Sequence, residues 1–98
     1  MLESKFQKIV RKDIETRLPG AIILKTDSLQ LQGIPDLLIL YKTRWAMLEV
    51  KRSQNAPRRP NQDFWVNKFN DISFAKFIYP ENKLEVLDDL ERSLKGYS

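Results

Sequence analysis

Apolar residues recur along this chain at a helical spacing, then at a strand spacing, and the changes of period mark out its elements. Leu2, Phe6, Ile9, Val10, Ile14 and Leu18 fall on one stripe of a helix predicted from about Glu3 to Leu18, with Pro19-Gly20 as its stop. Ala21 to Lys25 reads as a short strand and Thr26 to Gln32 as a polar loop. Leu37-Leu38-Ile39-Leu40-Tyr41 is an unbroken apolar run, the pattern of a central strand covered on both faces. Pro35 fits only at the start of that strand, where no ladder donor is needed. Lys42-Thr43-Arg44 is expected as a three-residue turn, and Trp45 to Lys51 as the second strand of a hairpin.

Ser53 to Pro60 reads as a loop, with Pro57 and Pro60 as punctuation. Asn61 is placed to cap a helix reaching about Asp71, with Phe64 or Trp65, the stem of Lys68, Phe69 and Ile72 as inward positions. Phe74 to Tyr79 is a fourth strand. Asn82 followed by Glu85 is a capping pattern for a last helix carrying Leu84, Leu87, Leu90 and Leu94. The expected class is therefore α/β, one domain over residues 1–98, in the order αβββαβα, with a mixed sheet between helices.

Composition narrows the chemistry. The 98 residues contain neither cysteine nor histidine, so thiolate and imidazole ligands are excluded and zinc is not expected. Any metal would be held by oxygen, which points to Mg²⁺ or Mn²⁺. The lack of cysteine fits a reducing, intracellular (cytoplasmic) setting. No apolar run approaches the roughly 18 residues of a membrane span, and the charged N-terminus does not read as a signal peptide. The net charge is +4 and the pI about 9.5. Acidic residues crowd the segment from Glu81 to Arg92, while Lys51, Arg52, Arg58 and Arg59 form the densest basic cluster. Such a cluster is read equally well as a phosphate-backbone contact or a solvated loop.

The chemistry-bearing constellation lies next to that cluster. Glu49 and Lys51 are two residues apart on one strand, so they share a face. With a turn at 42–44, Leu37 pairs with Glu49 and Asp36 with Val50, which brings Asp36 diagonally beside Glu49 and Lys51. Two carboxylates and an ammonium then converge, an arrangement suited to phosphodiester hydrolysis. A divalent ion between Asp36 and Glu49, with the Val50 carbonyl as third ligand, would activate water, and Lys51 would orient it or stabilise developing charge. The plain alternative makes Glu49 and Lys51 an exposed surface pair and Asp36 a strand cap.

At these residues the chain resembles the PD-(D/E)XK nuclease superfamily, through Pro35-Asp36 and Glu49-Val50-Lys51. Within it the chain looks like a VRR-NUC domain, a type similar to Holliday-junction resolvases. Gly33-Ile34-Pro35-Asp36, Glu49-Val50-Lys51, and Gln62 with Trp65 one turn on carry that likeness, which runs from Glu3 to about Leu94. The resemblance implies a restriction-endonuclease-like fold and a divalent-metal endonuclease selective for branched DNA such as four-way junctions. It also implies Glu3 as an acidic residue reaching the metal and Gln62 as a residue supporting the catalytic group. The loop before Gln62, with Pro57, Arg58, Arg59 and Pro60, lacks the glycine common in that family.

Arg52, Arg58 and Arg59 are the expected DNA contacts. Cutting two strands calls for two sites, so a homodimer is expected, with Trp45, Trp65, Phe74, Phe77 and Tyr79 as interface candidates. The competing readings are a monomeric nickase or flap nuclease, a DNA-binding module of nuclease fold without turnover, and an interaction domain with a chance motif.

Overall fold

The computed structural model of the chain describes residues 1–97. The elements are α1 (Glu3–Arg17), β1 (Ile22–Lys25), β2 (Leu37–Tyr41), β3 (Arg44–Val50), α2 (Pro60–Ile72), β4 (Phe74–Ile78) and α3 (Lys83–Lys95), the order read from the sequence. A single 3₁₀ turn, Pro80–Asn82, leads into α3. The four strands form one mixed sheet in the order β1-β2-β3-β4. The β1/β2 and β2/β3 pairs are antiparallel, while β3 and β4 run parallel and are joined through α2.

The two faces of the sheet are covered unequally. On one face, Phe6, Val10 and Ile14 of α1 and Val86, Leu87, Leu90 and Leu94 of α3 meet Leu37, Ile39, Ala46, Leu48, Val50 and Ile78 in the main core. On the other, α2 rests on β3 and β4, where Val66 packs with Met47 and Ala75 among half-buried Leu38, Trp45, Phe69 and Phe77. This second layer leaves Ile22 and Leu24 of β1 exposed. Ion pairs from Arg17 to Asp88 and from Lys83 to Asp13, both at 2.6 Å, link α1 to the α3 end of the chain. Partly exposed pairs of this kind contribute little, so apolar burial holds the layers together.

The structure corrects the sequence reading in several places. The hairpin turn has two residues, Lys42 and Thr43, and Tyr41 faces Arg44. Lys42 occupies the left-handed region at φ 56°, which closes the chain in fewer residues. Leu37 therefore faces Leu48 and not Glu49. A one-residue slip exchanges the two faces of a strand. The expected register would have aligned Asp36 with Val50, toward α1 and α3; the observed one aligns it with Glu49, toward α2.

Helix α2 begins at Pro60 with Arg59 as N-cap, not at Asn61. Proline at the first helical position has the right φ and needs no hydrogen-bond acceptor there. Val66 is the buried residue of α2, while Phe64 and Ile72 are 58% and 63% exposed. The helix is thus rotated from the phase expected of it. Leu2 and Leu84 are likewise exposed. Most of the aromatic residues expected at an interface are occupied within the chain. Phe74 lies in the main core, Phe77 and Trp45 belong to the second, Trp45 meets Phe69 edge-on and Trp65 packs tilted against it, and Tyr79 is half-buried.

The burial of β2 in the main core and the rotation of α2 together generate a direct test. Ile39→Ala, which opens a cavity at a fully buried position, should cost about 2–5 kcal/mol of unfolding free energy. Phe64→Ala should change it by no more than about 0.5 kcal/mol. Urea denaturation of the two variants checks both.

Candidate active site

The charged residues buried among those described are Glu49 and Lys51, at 3% and 7% exposure. They lie at the C-terminal end of β3, on the face toward α2. Burying an ionised group without partners is costly, so the question is what each one meets. Lys51 Nζ donates to Gln62 Oε1 at 2.9 Å and to the Pro57 carbonyl at 3.1 Å, and it stands 3.9 Å from Glu49 Oε2. Gln62 Nε2 donates to the same Glu49 oxygen at 3.2 Å. One amide therefore spans the acid and the base, its carbonyl to Lys51 and its nitrogen to Glu49. Gln62 is third in α2, and Oε1 also accepts the Arg59 backbone N–H at 3.0 Å, as a capping side chain does.

Asp36 arrives from the other side. Its Oδ2 accepts the Val50 backbone N–H at 2.9 Å, which locks the carboxylate against the end of β3. Thr26 steadies the chain around it: its hydroxyl donates to the Pro35 carbonyl at 2.7 Å, and its N–H donates to the Asp36 carbonyl at 2.9 Å. The Asp36 and Glu49 carboxyl groups are close enough to hydrogen-bond when Glu49 is protonated. Burial, the Asp36 charge, that contact and, least, Glu3 push the Glu49 carboxyl up to about 8, against a smaller opposing pull from Lys51.

The two carboxylates open into a cleft of about 500 Å³ whose other walls are Ser28, Leu29, Gln32, Gly33, Ile34, Arg59, Asn61 and Gln62. Asp36, Glu49, Lys51 and Gln62, expected from the sequence to act together, are thus brought together. The Val50 amide faces Asp36, and a strand residue's N–H and C=O point to the same edge, so its carbonyl faces that way too. Glu3 is not among the residues lining the cleft, but it stands near enough for its charge to raise the Glu49 carboxyl. It is exposed at the start of α1, and no group of three or more Asp, Glu, His or Cys side chains among the described residues is placed to hold a metal ion. The arginines separate: Arg59 lines the cleft, Arg52 is exposed outside it, and Arg58 lies over the Phe77 ring at 3.8 Å and pairs with Asp63 at 3.5 Å. The sequence reading assigned no site role to Ser28, Gln32 or Asn61, which line the cleft. No motif marked them, because a loop wall is assembled only by folding.

The acid–base pair makes metal-free stability depend on pH. The Glu49 carboxyl titrates at about 8 when folded and near 4.5 in an unfolded chain. Between these values the folded chain retains a proton that the unfolded chain has lost. The stability from this group is complete below about pH 4.5 and disappears as pH rises through about 8. In EDTA, Tm should fall by about 5 °C or more between pH 5 and pH 9. Glu49→Gln, which has no such proton, should show a flatter profile by scanning calorimetry.

No protein-family model matches the chain, and no curated protein sequence matches it. Among solved structures, a chain described as "VRR_NUC domain" superposes with a TM-score of 0.68 at 24% identity, covering 90% of this chain and 91% of that one. The agreement spans nearly the full length of both chains, so the four-stranded mixed sheet, its three helices and their αβββαβα order form a VRR_NUC-type fold.

Proposed function

We propose that this chain is a divalent-metal-dependent nuclease that hydrolyses DNA phosphodiester bonds, selective for branched DNA such as four-way junctions. The observation that carries the reading is the convergence of Asp36 with the buried pair Glu49 and Lys51, the pair spanned by Gln62 and both carboxylates open to one polar cleft. The likeness to a VRR_NUC domain supports it.

The residues fit an oxygen-coordinated cation. Two carboxylates face each other with a single ammonium beside Glu49, and one has to hold a proton near neutral pH. That excess of negative charge is what Mg²⁺, or Mn²⁺ in its place, would relieve. Asp36 and Glu49 would hold the ion, with the Val50 carbonyl on the same side. The bound ion would supply charge neutralisation at the phosphate and a lower cost for forming hydroxide. Lys51, fixed by Gln62 and Pro57, places its ammonium beside Glu49, where it orients the attacking water or offsets charge as the ester oxygens become more negative. Gln62 holds acid and base at a constant separation. Arg59, on the cleft wall, receives the phosphate backbone.

The active form we propose is a homodimer, because paired cuts need two sites related by symmetry. The apolar surface available for it is not the aromatic set expected from the sequence. It is the exposed face of β1, where Ile22 and Leu24 lie beside Leu38 and Leu40 and outside the cover of α2.

Fluorescent duplex, flap and four-way-junction DNAs incubated with Mg²⁺, Mn²⁺ or EDTA test the activity directly. Cleavage should require the metal and be fastest on the junction; metal-independent or absent cleavage would contradict the reading. Lys51→Ala should lower kcat by about 10²–10³ with DNA affinity nearly unchanged. Arg59→Ala should reduce the salt slope of binding by about 0.9, the value of one phosphate contact, whereas Arg58→Ala should leave it unchanged. Light scattering should give twice the 11.6 kDa chain mass, reverting to one chain mass in an Ile22→Asp/Leu24→Asp variant.

A further inference from the structure

Gly33 sits where the cleft loop meets the first turn of α2, at a φ of +90° that L side chains rarely adopt. A β-carbon at this position would lie 2.8 Å from Asn61 Cγ and 2.9 Å from the Asn61 carbonyl carbon and oxygen. The last two belong to the peptide that leads directly into Gln62. Gly33 is therefore in bare backbone contact with the residue pair that carries the amide bridge. We propose that Gly33 is a positioning residue of the nuclease site: its missing side chain sets the depth to which the start of α2 seats against the Asp36 loop, and so fixes Gln62 between Glu49 and Lys51. This assignment deepens the proposed nuclease reading and rests on it.

The geometry leaves little slack. Bringing these separations to an ordinary carbon contact of about 3.5 Å moves the Asn61 peptide, or the loop, by roughly half an ångström. The Gln62 hydrogen bonds begin at 2.9 Å to Lys51, 3.0 Å to the Arg59 amide and 3.2 Å to Glu49. The last is the longest, and a shift of that size removes it first. The loop side cannot yield freely, because Thr26 and Asp36 are tied together and the Leu31 carbonyl accepts the Ile34 N–H at 3.1 Å. The displacement thus goes to α2, and with it to the bridge.

Gly20 supplies the control. It has nearly the same φ, +91°, at the far end of α1, and a β-carbon there meets nothing within 4 Å. Gly20→Ala carries the backbone strain without the collision. Two readouts separate position from stability. In NMR spectra of the metal-free protein, the Gln62 side-chain amide should stand apart from those of exposed glutamines. It should collapse toward them in Gly33→Ala and stay in place in Gly20→Ala. In junction cleavage, Gly33→Ala should lower kcat about tenfold or more with KM within about threefold, and should add no further loss in a Gln62→Ala background. A Gln62 signal unmoved in Gly33→Ala, or losses that add in the double variant, would overturn the assignment. A Gly33→Ala chain that does not fold would also overturn it, since the contact would then carry the fold and not the site. If the native chain cuts no DNA, the nuclease reading fails, and the NMR comparison alone decides the role of Gly33.

Discussion

A carboxylate at the end of a central strand, almost wholly removed from water, is the constraint that organises this molecule. Glu49 is 3% exposed, and its partners are few: one amide, one ammonium at 3.9 Å, and a second carboxylate that raises the cost of its charge. A globular fold tolerates such a group only where something else repays its desolvation. Here the neighbouring elements converge on that one point. β2 brings Asp36, β3 brings Lys51, α2 brings Gln62, and the loop after β3 brings the Pro57 carbonyl. The remaining structure holds those elements in place.

The layering shows how. The main core between the sheet and α1 and α3 is continuous and apolar, and it fixes the even-numbered positions of β3: Ala46, Leu48 and Val50. The odd positions then face α2, where Trp45 and Met47 give way to Glu49 at the strand end. The same period-two alternation that fills the core thus delivers the acid to the opposite face. Because α2 rests on β3 and β4 and leaves β1 bare, its N-terminus lies beside the site, and one residue, Gln62, both caps the helix and bridges the charged pair.

Much of this was legible in the sequence. The order of elements followed from periodicity, and the residues of the site followed from Pro35-Asp36 and the Glu49/Lys51 spacing. What sequence did not reveal was phase. The two-residue turn depends on Lys42 adopting a left-handed conformation, and no Asn-Gly or Gly pair announced it. One residue of turn length decides which face Asp36 takes, so the expected residues lie together through a register other than the expected one. In α2 the aromatic side chains suggested an inward stripe, yet Val66 is the residue that fits beneath the helix. Arg59-Pro60 did contain a helix-start signal, which Asn61 obscured. Charge along a sequence does not say whether a side chain ends at a carboxylate, over a ring or in water: Arg59 lines the cleft, Arg58 ends over Phe77, and Glu3 is exposed at the start of α1.

The central claim is that the proton held by Glu49 stands in the place of a divalent cation. Calorimetric titration with Mn²⁺ at pH 7, repeated in buffers of different ionisation enthalpy, counts the protons released as the ion binds. The account predicts approximately one proton per bound ion in the native chain, since Glu49 holds its proton up to about pH 8, and none in Glu49→Gln. Binding with no proton release in the native chain, or no binding at all, would contradict it.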